Sequence, residues 1–211
     1  MMKALLPAVG AAGMLSIALP AAAQPTPPRL SPAAHQQTVA AFQAELNAEY
    51  RDPARSPLAA TAQAAFQGLP FYPVDYTYYV PAYLVRDAKA QPFAMKTTTP
   101  RQPLYRKFGE LHFRLQGRAL KLTVYESLDL KQKPGFEDYL LLPFTDLTNG
   151  RGSYGGGRYL DLRVPPGDTM RLDFNQAYNP FCAYSTQYSC PVPPPENHLP
   201  LAVKAGVQSD H

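Results

Sequence analysis

The residues of this 211-residue chain whose types suit chemistry are concentrated between Phe144 and Leu199. The stretch contains four acids from which a carboxylate pair could be drawn: Asp146, Asp161, Asp173 and Glu196. Glycoside hydrolysis requires two carboxyl groups about 5–10 Å apart, one of which keeps its proton to a raised pH. A hydrolase-like, carbohydrate-directed enzyme is therefore one function class that the sequence allows, although a sequence gives no distances.

Binding without catalysis is the second class, and two loops carry it. Three consecutive glycines at 155–157 let the backbone approach another group closely, and Arg158 supplies a planar fork of donors for a carboxylate or phosphate. The alternative for Arg158 is structural, with its charge paired to Asp146 or Asp173 so that the loop is fixed. The predicted ligand-binding candidates of both loops are Asp146, Tyr154, Arg158, Tyr159, Asp173, Asn175, Tyr178, Asn179, Glu196 and Asn197.

The second of these loops, around Asn175 to Pro180, is rich in Asn and Pro. Its polar groups either bond their own backbone or line a polar and aromatic pocket at the mouth of a β-domain. An open cleft with two carboxylates free of arginine partners would favour the enzyme. Acids that are each paired with an arginine or a backbone turn would favour binding, which is the function the sequence favours.

Several short patterns resemble known sites but fail in context. Gly150 to Gly155 satisfies G-x-G-x-x-G, yet an alternating strand pattern follows it instead of a helix, and no P-loop lysine is present. The four histidines have no metal-ligand spacing. The sequence thus predicts no cofactor and no metal.

Cys182 and Cys190 are the only cysteines, and in an exported chain an even number indicates pairing. The sequence predicts a disulfide between them.

Composition limits the partners. The formal net charge of +4 is small and dispersed, and no basic run is interleaved with aromatic residues. Nucleic acid is therefore excluded as a partner, and a small-molecule ligand is the expected one. The oligomeric state is left open.

The N-terminus reads as an export signal. A basic start is followed by a short apolar run and an A-x-A motif at 21–23, so cleavage is predicted after Ala23. Residues 1–23 are then the signal peptide, 24–31 a flexible leader and 32–211 one domain, which resides in the periplasm or is secreted. No membrane span is expected after cleavage.

Periodicity predicts a mostly β fold, an antiparallel sandwich or a partly closed barrel preceded by two N-terminal helices. The helices are predicted over 32–51, where Ser31 and Pro32 form a start signal, and over 58–67. Strands are predicted over 76–85 (an edge or a bulged strand, because of Pro81), 109–116, 120–124, 139–144, 159–164, 170–175 and 199–205. The second and third of these are predicted to form a hairpin that turns at Gln116-Gly117-Arg118.

The strands at 159–164 and 170–175 are predicted to pair as a hairpin. Keeping the apolar residues of both on one face sets Leu162 opposite Leu172 and Asp161 opposite Asp173. That register would make Asp161 and Asp173 the best carboxylate pair.

Three blocks of the chain resemble the DUF1684 family. They are Phe144-x-Asp146-x-Thr148-x-Gly150 with Tyr154 and 156–160, then 172–175 with 177–180, then Cys182 through Cys190-Pro191 to 194–197. Ser153 stands where the family pattern has threonine, a change that keeps the hydroxyl. The resemblance implies a bacterial or archaeal protein of this family and carries no catalytic residues, because no activity is established for it.

Overall fold

The computed structural model describes residues 28–209, and the export signal predicted at 1–23 lies outside them. The helices are α1 (Pro32–Arg51) and α2 (Ala60–Ala64). The strands are β1 (Tyr79–Arg86), β2 (Phe93–Ala94), β3 (Leu104–Leu115), β4 (Arg118–Ser127), β5 (Tyr139–Asp146), β6 (Arg158–Arg163), β7 (Thr169–Asp173) and β8 (His198–Leu199). Short 3₁₀ turns lie at 76–78, 130–132, 174–176, 181–183 and 195–197.

The strands form one curled, antiparallel sheet, a half-barrel in the order β6-β5-β4-β3-β1-β7, with β2 beside β3 and β8 parallel to β5. The predicted β-rich class is confirmed as a partly open barrel, and the sandwich is not formed. A bulge between Lys107 and Gly109 bends the long β3, which promotes the curl. At Gly109 a side chain would meet the Val85 carbonyl oxygen at 2.4 Å, so this close approach requires glycine.

Local signals predicted several elements correctly. The side chain of Ser31 accepts a hydrogen bond from Ala34 N at 3.2 Å, and Pro32 opens α1. The β3–β4 hairpin turns at Gln116 and Gly117, both with positive φ (50° and 76°), as a two-residue hairpin requires. The second helix has only five residues and is shorter than predicted.

The predicted hairpin of 159–164 with 170–175 is wrong. β6 pairs with β5, and β7 pairs with β1 at the opposite end of the strand order. Two consecutive prolines at 165–166 provide no N–H for a tight ladder, and the chain between the strands crosses over instead, with Asp168 accepting from Leu84 N at 2.7 Å. Asp161 and Asp173 therefore do not face each other in a register.

Two further strand predictions are corrected. β1 is interior, between β3 and β7, because its pairing with β3 begins at Ala82, one residue after Pro81. Residues 200–209 form no strand, and carbonyl groups of that segment accept hydrogen bonds from a buried arginine described below.

Helix α1 lies over the opening of the half-barrel. The Nε2 atom of buried His35 is 2.9 Å from Asp173 Oδ2, at the end of β7, and its ring stacks on Tyr79 with centroids 4.8 Å apart. The C-terminal half of the helix lies against the β6 side of the sheet, where Glu49 and Asp161 border one cavity. The helix thus links the two edge strands.

Asn197 joins β4 and β5, which share only one paired position, Tyr125 with Leu141. Its Oδ1 accepts from Thr123 N at 2.8 Å, and its Nδ2 donates to the carbonyl oxygens of Thr123 (2.8 Å) and Pro143 (2.7 Å). The side chain is fully buried. It therefore replaces ladder bonds that the separating strands do not make.

We expect Asn197→Leu to lower the free energy of unfolding by about 3 kcal/mol, because three buried backbone groups lose their partner. Urea denaturation measures the change, and Gln37→Leu on the exposed face of α1 is the control, with an effect within about 0.5 kcal/mol. Equal midpoints for the two variants would contradict this role of Asn197.

Candidate functional site

Arg158 belongs to the first predicted binding loop, the glycine-tyrosine loop from Tyr154 to Tyr159, but it is a structural residue. Its side chain is fully buried, and Nη2 donates to Asp146 Oδ2 at 2.8 Å and to the Val203 carbonyl at 2.7 Å. Nη1 donates to the carbonyls of Ala205 and Val207. The pairing alternative is thus the one formed, and no face of the guanidinium is open to a ligand.

Asp146 is also fully engaged. Its Oδ1 accepts from the backbone N–H groups of Thr148 (2.8 Å) and Val203 (3.1 Å). The first bond closes an Asx-type turn at the end of β5. The carboxylate therefore joins the loop after β5 to the C-terminal segment and is not a catalytic group.

The triple glycine packs against protein. A side chain at Gly156 would lie 2.5 Å from the Tyr154 ring, and Gly157 has φ +95°. The Tyr159 hydroxyl donates to the Pro191 carbonyl. Tyr154 and Tyr159 thus pack against or bond the protein's own loops.

The acids and amides of the other blocks are similarly occupied. Asp173 binds His35 and accepts from Asn175 N at 3.1 Å, while Asn175 bonds both backbone groups of Asp75 at 2.9 Å. The Glu196 carboxylate accepts from the Tyr125 hydroxyl at 2.8 Å. Asn179 donates to the Tyr184 hydroxyl at 3.0 Å. These residues stabilise loops, and Asp173 also borders a cavity lined by β6 and β7.

The predicted disulfide is wrong, because Cys182 and Cys190 are free thiols. The turn at 181–183 points the Cys182 backbone N–H at Cys190 Sγ, 3.3 Å away, and the sulfurs are not at the bonding distance of about 2.05 Å. A hydrogen bond from the Cys190 thiol, opposed by burial, lowers the pKa of Cys182 to about 7. The same bond, together with burial, raises the pKa of Cys190 far above its ordinary value.

Two of the predicted residues line cavities. Asp173, which is bonded to His35, borders a cavity of about 440 Å³ together with Asp161 and Arg163, and Tyr178 lines an acidic cleft. This acidic cleft lies between α1 and the edge strand β6 and has a volume of about 420 Å³. Its lining residues are Phe42, Glu45, Leu46 and Glu49 of α1, Asp161 of β6, and Tyr178 and Phe181. The backbones of Tyr159 and Tyr178 exchange hydrogen bonds of 2.9 and 3.0 Å, which fixes Tyr178 beside β6.

Asp161 is the central polar group of the acidic cleft. Its Oδ1 accepts from two phenols, Tyr139 at 2.7 Å and Tyr178 at 2.6 Å. Burial raises the pKa of both tyrosines well above the ordinary value, so both keep the proton that they donate. No described residue bonds the other carboxylate oxygen, Oδ2. Asp161 is therefore oriented by the protein with one acceptor left for a ligand.

The acidic cleft disfavours the ionised forms of two of its own carboxyl groups, Asp161 and Glu49. Asp161 is exposed by surface area, yet the surrounding walls remove the water beyond its first contacts, and this desolvation raises its pKa despite the two phenols. Desolvation also raises the pKa of Glu49, opposed by Arg55 and reinforced by Asp161 and Glu45. Neither glutamate carboxylate has a hydrogen bond or ion pair with another residue of the described chain.

Within residues 28–209, no three His, Cys, Asp or Glu side chains converge closely enough to hold a metal ion. The three carboxylates of the cleft are thus spread over a space larger than one ion. In the same range, no helix has the length and apolar character needed to cross a membrane.

Sequence reasoning considered Asp161 only as a possible hydrolase acid and did not identify the glutamates. A signal was present in α1. Glu45 and Glu49 are one helical turn apart and flank the buried Leu46, and no Lys or Arg lies between them to neutralise the pair. What the sequence could not show is that this face of α1 packs beside β6.

The two classes of acid differ in their effect on stability. We expect Asp146→Asn to cost about 3–5 kcal/mol, because it leaves the buried Arg158 charge without its partner. Asp161→Asn should leave stability at pH 7 unchanged or raise it. The folded state holds the Asp161 proton more tightly than the unfolded chain does, so the ionised carboxylate opposes folding above its raised pKa.

Urea denaturation at pH 7 and again at pH 5 tests both variants. The advantage of Asp161→Asn over the unmodified protein should be smaller at the lower pH, because the folded protein takes up the Asp161 proton at a higher pH than the unfolded chain does. A large loss of stability in Asp161→Asn would mean that this carboxylate, too, is structural.

The thiols give a second test. Iodoacetamide should alkylate Cys182 with a rate that rises through a midpoint near pH 7, and should modify Cys190 slowly. Replacing Cys190 by Ala removes the hydrogen bond that stabilises the Cys182 thiolate, so the midpoint should move to higher pH. Peptide mass spectrometry after timed alkylation measures both rates; a chain that alkylates only after reduction would contradict the free thiols.

Comparison with known proteins agrees with the motif blocks. Residues 64–208 match the family described as a protein of unknown function, DUF1684. The solution NMR structure of an uncharacterised protein from Haloarcula marismortui is similar, with a TM-score of 0.66 and 32% sequence identity. That match covers 84% of this chain and 96% of the other. No curated protein matches this chain. The chain therefore belongs to the DUF1684 family.

Proposed function

We propose that this protein binds a small organic amine in the acidic cleft. The observation that carries the proposal is that three carboxylates with unclaimed oxygens border one cavity that no Lys or Arg lines. A protonated amine placed there relieves the mutual repulsion of Glu45, Glu49 and Asp161. A charge-assisted hydrogen bond to Asp161 Oδ2 would fix its position.

The aromatic walls of the acidic cleft indicate that its ligand also has an apolar part. Phe42, Tyr178 and Phe181 present aromatic surface to the same cavity. Aromatic faces attract organic cations through the ring quadrupole and also bury apolar surface. An amine carried on an aromatic or aliphatic body therefore fits better than a bare ion, which agrees with the spread of the carboxylates.

The proposal keeps part of the function expected from sequence. The loop rich in Asn and Pro contributes Tyr178 and Phe181, whereas the glycine-tyrosine loop does not line the cleft. Export through the segment 1–23 remains part of the proposal and rests on the sequence pattern alone. N-terminal sequencing of the protein isolated from its host tests that part separately.

Isothermal titration of the full chain with phenethylamine, against 2-phenylethanol as the neutral isostere, tests the ligand class. We expect the amine alone to bind, and Asp161→Asn to weaken it by about 10- to 100-fold through loss of a charged hydrogen bond. Glu49→Gln should weaken it less. Asp129→Asn, which removes an exposed acid outside the cleft, is the control and should bind as the unmodified protein does.

Acid pH should also weaken binding. Because the pKa values of Asp161 and Glu49 are raised, both carboxyls take up protons at a higher pH than free side chains near 4, and the amine loses its partners. Equal affinity for amine and alcohol, or an affinity independent of pH between 8 and 4.5, would refute an amine site.

The hydrolase-like alternative has one specific support. Asp161 and Glu49 both have a raised pKa and border one cleft, and the Asp161 charge contributes to the raised pKa of Glu49, whereas Asp173 is bonded to His35. A panel of 4-nitrophenyl glycosides tests it. Turnover that is abolished in both Asp161→Asn and Glu49→Gln would favour the enzyme over the binding protein.

A further inference from the structure

A second cavity lies on the outer face of the sheet, away from the acidic cleft. This sheet groove has a volume of about 680 Å³ and crosses β7, β1, β3 and β4. With strands about 4.8 Å apart, four strands span about 14 Å. Its lining residues are Pro81, Ala82, Tyr83, His112, Phe113, Arg114, Ala119, Leu120, Lys121 and Thr169.

The register explains the shape of the groove. Ala82, Phe113 and Leu120 occupy one row across β1, β3 and β4. Their side chains contribute to the hydrophobic core, so this row offers mainly backbone to the outer face. The outward rows on either side form the walls. Short residues such as Pro81 and Ala119 in one of these rows leave space above the floor.

The charges are concentrated at one end. Arg114, His112 and Lys121 all lie on the β3–β4 hairpin, and no acid is among the lining residues. Glu110, just outside, already pairs with Lys121 at 3.2 Å and His112 at 3.4 Å. Arg114 donates to the Gly117 carbonyl at 2.7 Å and has no carboxylate partner among the described residues.

The part of the groove on β1 is apolar. Pro81 and the Tyr83 ring line it, and 40% of the Tyr83 surface is exposed. Beyond β1, Thr169 of β7 adds one hydroxyl group. A groove with an apolar half and a cationic half matches a molecule that has an apolar tail and an anionic head. The open, shallow form suits one extended chain better than a folded macromolecular element.

We propose that the sheet groove binds a single-chain anionic amphiphile, with a fatty carboxylate as its chemical class. The carboxylate pairs with the Arg114 guanidinium over β3 and β4, and the alkyl chain extends across β1 toward β7. This site is independent of the amine cleft, because the two cavities share no lining residue.

Binding of dodecanoate, below its micellar concentration, to the full chain tests the proposal by titration calorimetry. Arg114→Glu should weaken binding at least about tenfold, because it replaces the unpaired cation by a like charge. Ala119→Phe fills the groove without changing its charge and should also abolish binding. Both positions are exposed, so neither change disturbs the core.

Lys133→Glu makes the same charge change at an exposed site outside the groove and should bind dodecanoate normally. Shortening the ligand to decanoate should weaken binding by about tenfold, since two methylenes lose their burial. Dodecyltrimethylammonium binding as tightly as dodecanoate, or binding that survives Ala119→Phe, would overturn the proposal. If the protein binds to anionic phospholipid vesicles but not to free dodecanoate, the fatty-carboxylate proposal is wrong, and the groove contacts a membrane surface instead.

Discussion

The fold depends most on the buried charge of Arg158. A guanidinium removed from water is costly unless its donors are satisfied. Here one carboxylate and the carbonyls of Val203, Ala205 and Val207 accept from Nη1 and Nη2, while Nε has no hydrogen-bond partner among the described residues. These bonds tie a C-terminal segment without strand structure to β6. The first of the three motif blocks supplies Arg158 and its side-chain partners Asp146 and Thr148. The polar residues of that block therefore hold the C-terminal segment in place, which explains why they offer little to a ligand.

Against that background, Asp161 stands out by what it lacks. Asp146 and Asp173 each bind a cation or a histidine as well as backbone N–H groups, whereas Asp161 receives two phenols on one oxygen and nothing on the other. Desolvation raises the pKa of Asp161, whereas an ion pair would lower it. A carboxylate that is oriented but not neutralised adds nothing to stability and is characteristic of binding sites.

The sequence predicted the features that local rules control. Ser31 and Pro32 set the start of α1, and Gln116 with Gly117 set a hairpin, because caps and tight turns are decided by a few adjacent residues. The predictions that were wrong concern contacts between residues far apart in the sequence. Apolar alternation placed β6 and β7 on one face but could not show that they belong to opposite ends of the sheet, since period 2 carries no information on the partner strand.

The candidate site failed for a related reason. Polar residues that attract notice in the sequence, such as Arg158 and Asn197, are those whose donors and acceptors must be bonded within the core. The acidic cleft instead combines an ordinary helix face with an ordinary strand edge, and neither is distinctive alone.

The division of the cleft between two elements also bears on the family. The match spans residues 64–208, which includes Asp161, Tyr139 and Tyr178 but not the α1 residues Glu45 and Glu49. The phenol-bound aspartate is thus built from the matched region, and the additional negative charge comes from outside it. A change in the α1 acids would alter the charge that the proposed amine site prefers in its ligand, while leaving the orientation of Asp161 intact. Selectivity at this site is therefore separable from the half-barrel that supports it, because the half-barrel is held by Arg158 and Asn197 at other positions.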